Sequence, residues 1–181
     1  GRYDAVQEIR EKLNLLKNGI DYELYVTSGP GDATEYVRQW CADHPQERVR
    51  FYACGGDGTL NEVVSGLIGC PMAEVTCYPC GSGNDYIKYY GCKEDYLDIK
   101  RLVNGVPHAV DVMKVNDRYS VNVCNFGFEA EVCRTMAQVR RKPVIGGKRA
   151  YTTGIVKSLF TGRKNYCHVK VDGAELHDGK M

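Results

Sequence analysis

Eight residues, Gly55-Gly56-Asp57-Gly58-Thr59-Leu60-Asn61-Glu62, carry the most pointed chemistry in this 181-residue chain. Glycines there let backbone N–H groups approach a ligand closely, and a helix starting at the same place adds the positive end of its dipole. A phosphate chain is the guest such a turn suits. Asp57 qualifies that reading, because a carboxylate beside a polyphosphate repels it unless a cation or a transferable proton lies between them. Together these residues point to metal-assisted phosphate chemistry more than to passive dinucleotide binding. A second glycine-rich turn, Pro79-Cys80-Gly81-Ser82-Gly83-Asn84-Asp85, brings another carboxylate.

The elements that must position these turns follow from hydrophobic period. An apolar run, Val49 to Cys54, precedes the first turn, and Leu60, Val63, Val64, Leu67 and Ile68 follow at helical spacing. That predicts strand, turn, helix. Ala73 to Tyr78 predicts a strand ending at the second turn, followed by a short helix over Tyr86 to Tyr90. Upstream, Tyr3 to Lys17 reads as a helix and Asp21 to Thr27 as a strand. Asp32-x-x-Glu35 matches a capping box opening a helix through Val37 and Trp40. A further helix is expected over Tyr96 to Val103. This alternation predicts an α/β fold with a doubly wound, mainly parallel sheet and ligands at the strand C-terminal ends. Both glycine turns fall at such ends, which supports a single site.

The pattern changes near Pro107. Ala109 to Val115 and Tyr119 to Cys124 predict strands joined across Asn116-Asp117, and Tyr166 to Val171 and Ala174 to His177 predict a hairpin across Asp172-Gly173. Helical patterns cover Ala130 to Val139 and Ala150 to Phe160. The expected domains are therefore 1–106, α/β, and 107–181, the start of a β-rich α+β domain that breaks off incomplete.

The net charge of +1 conceals an uneven distribution. Residues 132–171 hold ten basic side chains and no acidic one, whereas the chain before them carries 13 basic and 20 acidic residues. Such asymmetry suggests an anionic partner for the later part, with solvated helix faces as the bland alternative. No apolar run reaches the roughly 18 residues of a spanning helix. The N-terminus lacks an apolar signal core and an initiator Met. Nine cysteines, an odd number without a secretory signal, read as reduced core thiols rather than a disulfide framework. Cys77-x-x-Cys80 has zinc or redox spacing, but no second pair follows. His44, His108, His168 and His177 lack ligand spacing and read as incidental.

The two glycine turns, in this order, resemble the lipid kinase family of diacylglycerol, sphingosine and bacterial lipid kinases. The resemblance continues in Val26-Thr27-x-Gly-x-Gly-Asp-Ala33, in Val110-Asp111-Val112-Met113-Lys114-Val115-Asn116 and in Asn122-Val-Cys-Asn-Phe-Gly-Phe128-Glu-Ala-Glu131. It implies ATP and Mg²⁺ as cofactors, bound between an α/β domain and a β-rich one. Residue by residue, Gly55, Gly56, Asp57, Gly58, Thr59, Leu60 and Asn61 would wrap the phosphates, with Glu62 closing the motif. Thr27 would contact the nucleotide, and Gly81, Ser82 and Asn84 would contribute from the second turn. Asp57, Asp85 and Asp111 match the family's acidic positions, which bind the metal through waters or order the site. A bland reading stands beside each. Asp57 and Asp85 could only cap helices, Asp111 could be an ion-pair partner, Thr27 a plain strand-end residue, and Asn84 a turn-fixing one.

Two departures from the family pattern matter. The usual opening strand ending in Asn-Pro-x-Ser-Gly is missing, and the later strands that supply the general base and direct metal ligands lie beyond Met181. The resemblance thus implies a lipid kinase acting on a membrane alcohol, with diacylglycerol the default acceptor, but negligible activity in this stretch alone. It also implies a cytoplasmic protein held peripherally at an anionic membrane surface, and leaves homodimerisation open. NAD kinases share Gly-Gly-Asp-Gly-Thr but carry an Asn-x-Gly-x-Leu-Gly block where this chain has Gly81-Ser82-Gly83-Asn84-Asp85. A non-catalytic nucleotide- or lipid-binding module is the third reading. Nucleic-acid binding lacks a motif and interleaved stacking aromatics.

Overall fold

Parallel pairing of two strands sets where everything else in the first half of the chain must go. The computed structural model describes residues 5–15, 20–125, 127, 130, 132–134 and 166–180. It divides into two units, Gly1–Val123 and Cys124–Met181. In the first, β1 (Val49–Gly55) pairs in parallel with β2 (Ala73–Pro79), in a register running from Val49↔Ala73 to Gly55↔Pro79. A parallel pair requires a crossover, and α3 (Asp57–Leu67) supplies it. The register leaves both glycine turns side by side at the same end.

Strand side chains alternate between faces, so the sheet builds two cores. On one face Ala53 and Cys77 pack with Leu60, Val63 and Val64 of α3 and with Ala33 and Val37 of α2 (Asp32–Asp43). On the other, Tyr78 packs with Ile9 of α1 (Ala5–Asn14) and with Ile99 and Leu102 of α4 (Ile99–Val103). Gly66 allows α3 to cross α2 closely, since a Cβ there would stand 2.7 Å from the Thr34 carbonyl oxygen. A polar cluster locks α1 to the sheet. The buried Tyr78 hydroxyl donates to Glu8 (2.7 Å) and accepts from Lys12 (2.8 Å).

Beyond β2 come two 3₁₀ turns, Tyr86–Tyr89 and Lys93–Tyr96, then α4 and a short antiparallel hairpin, β3 (Met113–Val115) with β4 (Arg118–Ser120). Its turn places Asn116 at φ 55°, a left-handed value that Asn tolerates. The second unit contains β5 (Tyr166–Val171) and β6 (Ala174–Lys180), antiparallel, with a shift in register between Val169 and Lys170. Asp172 and Gly173, at φ 48° and 85°, form the turn that the Asp-Gly pair predicts.

Several expectations change. Asp21 to Thr27 forms no strand. Alternation reports side-chain preference, but a strand also requires a hydrogen-bonding neighbour, and here Tyr25 stacks on Tyr36 of α2 at 3.8 Å instead. The capping box at Asp32 does not form either. Gly31 precedes the helix at φ 88°, Asp32 is its first residue, and the Asp32 carboxylate turns back to the Ser28 N–H (2.5 Å) and hydroxyl (2.8 Å). The helix expected over Tyr96 to Val103 is interrupted, because Asp98 caps α4 by accepting the Arg101 N–H. The strands expected over Ala109 to Val115 and Tyr119 to Cys124 shorten to β3 and β4. Of the helix expected over Ala130 to Val139, only Ala130 and residues 132–134 are described, and they are helical. The helix expected over Ala150 to Phe160 lies outside the described residues.

Candidate functional site

The two glycine turns meet at the C-terminal ends of β1 and β2. The Cys80 N–H donates to the Gly55 carbonyl at 2.9 Å, extending the ladder by one bond past the strands. Beyond that bond the turns touch main chain to main chain. A Cβ on Gly81 would stand 2.5 Å from the Gly56 Cα, closer than any side chain tolerates. The second turn is closed by its own asparagine. Asn84 sits at φ 49°, its Oδ1 accepts the Gly81 N–H (3.1 Å), and its Nδ2 donates to the Gly81 carbonyl (2.7 Å). Asn84 thus fixes the turn, whatever else it contacts.

Asp57 joins the two turns electrostatically. It is the first residue of α3, whose N-cap, Gly56, has no side chain to satisfy the free N–H groups behind it. The Asp57 carboxylate does not cap that helix. Its Oδ1 accepts the Tyr86 N–H at 3.1 Å, across to the element that follows the second turn. Its Oδ2 lies 3.0 Å from where a Gly83 Cβ would stand, and an Asp85 oxygen lies 3.6 Å from the same point. The two carboxylates therefore flank Gly83. Asp85 is exposed and ion-pairs with Lys88. Like-charged carboxylates sharing one glycine suit a cation between them.

The other glycines of the first turn divide by what they leave room for. A Cβ on Gly55 would collide with the Thr59 side chain, 2.2 Å from its Oγ1, so the Thr59 side chain lies over the end of β1. A Cβ on Gly58 would meet nothing within 4 Å. Its bareness serves no protein contact and keeps the start of α3 open to solvent. That opening, backed by unpaired N–H groups, fits a phosphate. Leu60 is buried in the core, and the Glu62 carbonyl accepts the Thr34 hydroxyl at 2.9 Å.

The remaining expected residues fall outside this convergence. Thr27 is exposed, in a loop whose neighbours Tyr25 and Ser28 are both held by Asp32. Ser82 and Asp111 are also exposed. Asn61 is half-buried, and its amide is engaged with the main chain of Tyr119 and Val121. Among the described residues, Asp57, Asp85 and Asp111 do not converge to direct metal-ligand distances. Cys77 faces one core and Cys80 the other, so the C-x-x-C pair does not chelate as a unit. Burial pushes the Cys77 thiol up to about 12, and the Asp57 carboxylate adds to the shift. Tyr86 is the site residue that sequence reading missed. It contributes a backbone N–H, which no residue type announces.

Residues 1–115 match the diacylglycerol kinase catalytic domain. The chain belongs to that family. A probable lipid kinase, YegS-like, of Yersinia enterocolitica is 29% identical over 181 residues, covering 97% of this chain and 60% of the relative. Its Alcanivorax borkumensis counterpart is 30% identical over 160 residues, covering 87% and 52%. The diacylglycerol kinase of Bacillus subtilis is 29% identical over 168 residues, covering 90% and 53%. The chain thus spans between about half and three fifths of the length of these relatives. No solved structure matches significantly.

Proposed function

We propose that the whole protein transfers the γ-phosphoryl group of ATP to the hydroxyl of a membrane lipid, with diacylglycerol as acceptor and phosphatidic acid as product. One observation carries this reading. The two glycine turns pack main chain to main chain at the ends of adjacent parallel strands, beside an open helix start and two carboxylates. In this proposal Gly55 to Thr59 cradle the phosphates with the backbone N–H groups at the start of α3, the second turn adds the Ser82 hydroxyl, and Thr27 contacts the nucleotide. Asp57 and Asp85 would hold Mg²⁺, and Asp111 would contribute from the segment just before β3. Bound MgATP supplies the phosphoryl group and neutralises the charge that develops in transfer. The chain's own part is to orient the phosphate chain and to hold the Asp57 carboxylate in place through the Tyr86 N–H.

The proposal extends to architecture and place. Residues 1–106 form the doubly wound nucleotide domain and 107–181 begin the β-rich lipid domain. The protein works in the cytoplasm, held at anionic membrane by the basic stretch, of which only Arg134 and Lys170 lie among the described residues. No helix among the described residues is long and apolar enough to cross a membrane. Each cation placed near the surface contributes about 1 kcal/mol, so binding to vesicles should rise with anionic lipid and fall with salt.

The deciding experiment is a lipid panel with labelled ATP on the full-length protein. Label in phosphatidic acid supports the reading. Label in NAD, or in no lipid, overturns it.

A further inference from the structure

We propose that Asn61 is a positioning residue, tying the helix that carries the first glycine turn to the hairpin that follows Asp111, and that it makes no contact with nucleotide. The kinetic part of this inference rests on the lipid kinase reading; the structural part does not.

Asn61 points away from the phosphate-binding start of α3 and reaches the hairpin. Its Nδ2 donates to the Tyr119 carbonyl at 3.1 Å, and its Oδ1 accepts the Val121 N–H at 3.1 Å. One partner is an acceptor and the other a donor, so only one orientation of the amide satisfies both. No other side chain of this size offers a donor and an acceptor in that arrangement. An aspartate would set a carboxylate oxygen against the Tyr119 carbonyl, and a leucine would leave both main-chain groups without partners. Val121 also packs against the core that α3 helps to form, so the tie is partly shielded from water.

The consequence lies at the entry to the hairpin. Met113 pairs with Ser120, the neighbour of Val121, and Asp111 lies two residues before Met113. Holding Val121 therefore sets the place of the Asp111 segment relative to Asp57, four residues before Asn61 on α3. If both aspartates serve one phosphoryl group, a slip of about 1 Å between their elements costs on the order of 100-fold in rate. Nucleotide affinity, which the glycine turns supply, is untouched by such a slip.

The test compares wild type with Asn61→Ala and Asn61→Asp in the full-length protein. It reads hydrogen–deuterium exchange, the Kd for MgATP by calorimetry, and kcat and KM for ATP on diacylglycerol vesicles. We expect exchange at residues 119–122 to rise about tenfold or more in Asn61→Ala, Kd and KM for ATP to stay within about threefold, and kcat to fall on the order of 10- to 100-fold. Asn61→Asp keeps the acceptor for Val121 and loses the donor, so it should fall between the two, and it carries the test if the alanine variant does not fold. Exchange unchanged at 119–122, or ATP affinity lost by about tenfold or more, overturns the inference and returns Asn61 to the phosphates. A protein that phosphorylates no lipid would count against the function, while exchange would still decide the tie.

Discussion

The two ends of the β1–β2 pair have the same backbone and opposite chemistry. At the N-terminal end, the Arg50 guanidinium is bound to Glu74 at 2.8 Å and to the Leu102 and Val103 carbonyls at 2.9 and 3.1 Å. The cavity there, about 300 Å³, is lined in part by Arg48, Arg50, Met72 and Glu74. The Arg50 charge is already answered from within the protein. At the C-terminal end α3 has uncapped N–H groups, Gly58 faces open space, and two carboxylates share one glycine. Shape alone would select the wrong end. Unanswered hydrogen-bonding capacity selects the right one.

The largest expected effect tests this contrast directly. Asp57→Asn in the full-length protein keeps an oxygen for the Tyr86 N–H and removes the charge. Turnover should fall by about 10²–10³-fold, as for loss of one transition-state electrostatic contact, with little change in the unfolding midpoint. Near-normal kcat would leave Asp57 as a structural residue only. The glycines separate next. Gly81→Ala forces a Cβ into the Gly56 backbone and should cost about 1–3 kcal/mol of stability together with ATP binding. Gly58→Ala meets no protein atom and favours helix, so stability should hold or rise by up to about 1 kcal/mol. ATP affinity should nevertheless drop. Equal affinity in Gly58→Ala would show that the opening at α3 is not where phosphate sits. At the other end, Arg50→Met should destabilise by about 1–3 kcal/mol, since two carbonyls and Glu74 lose a charged donor. Its kcat and KM, measured below the melting range, should match wild type; a shifted KM for ATP would place nucleotide at the wrong end of the strands.

What could be seen in the sequence follows the same division. The strand–turn–helix around Gly55 was legible because an apolar run, clustered glycines and a 3.6-residue period agree locally. Asp172-Gly173 was legible because that pair favours positive φ at both turn positions. Contacts to backbone were not. Asp57 to the Tyr86 N–H and Asn61 to Tyr119 and Val121 depend on main-chain groups that every residue has. The strand expected at Asp21 to Thr27 failed for a related reason, since pairing partners are set by tertiary placement. Asp32 misled because the same carboxylate can cap forward or hold a loop behind it, and only Gly31 at positive φ decides which.

The smallest effect concerns the face that Arg50 and the glycine turns share, through α1. Hydrogen bonds from Lys12 and then from Tyr78 hold the Glu8 carboxyl below its ordinary range, and the same pairing with Glu8 and Tyr78 holds Lys12 above its own. A carboxylate lowered in the folded state contributes stability at pH above its unfolded value, near 4.3, and loses it as pH falls through the folded one. A lysine raised in the folded state contributes below about 10.4 and loses it as pH rises past its folded value. The α1 lock is therefore complete at neutral pH and weakens first on the acid side. Both side chains are about a third exposed, so the pair is worth at most about 1 kcal/mol. Glu8→Gln retains an acceptor for Tyr78 without the charge. Its unfolding midpoint should lie slightly below wild type at pH 7, and the gap should close as pH approaches 3. A gap independent of pH would assign the lock to packing around Tyr78. The turnover of Glu8→Gln at pH 7 should equal wild type, because Glu8 bonds to Lys12 and to Tyr78, on the strand behind the second glycine turn.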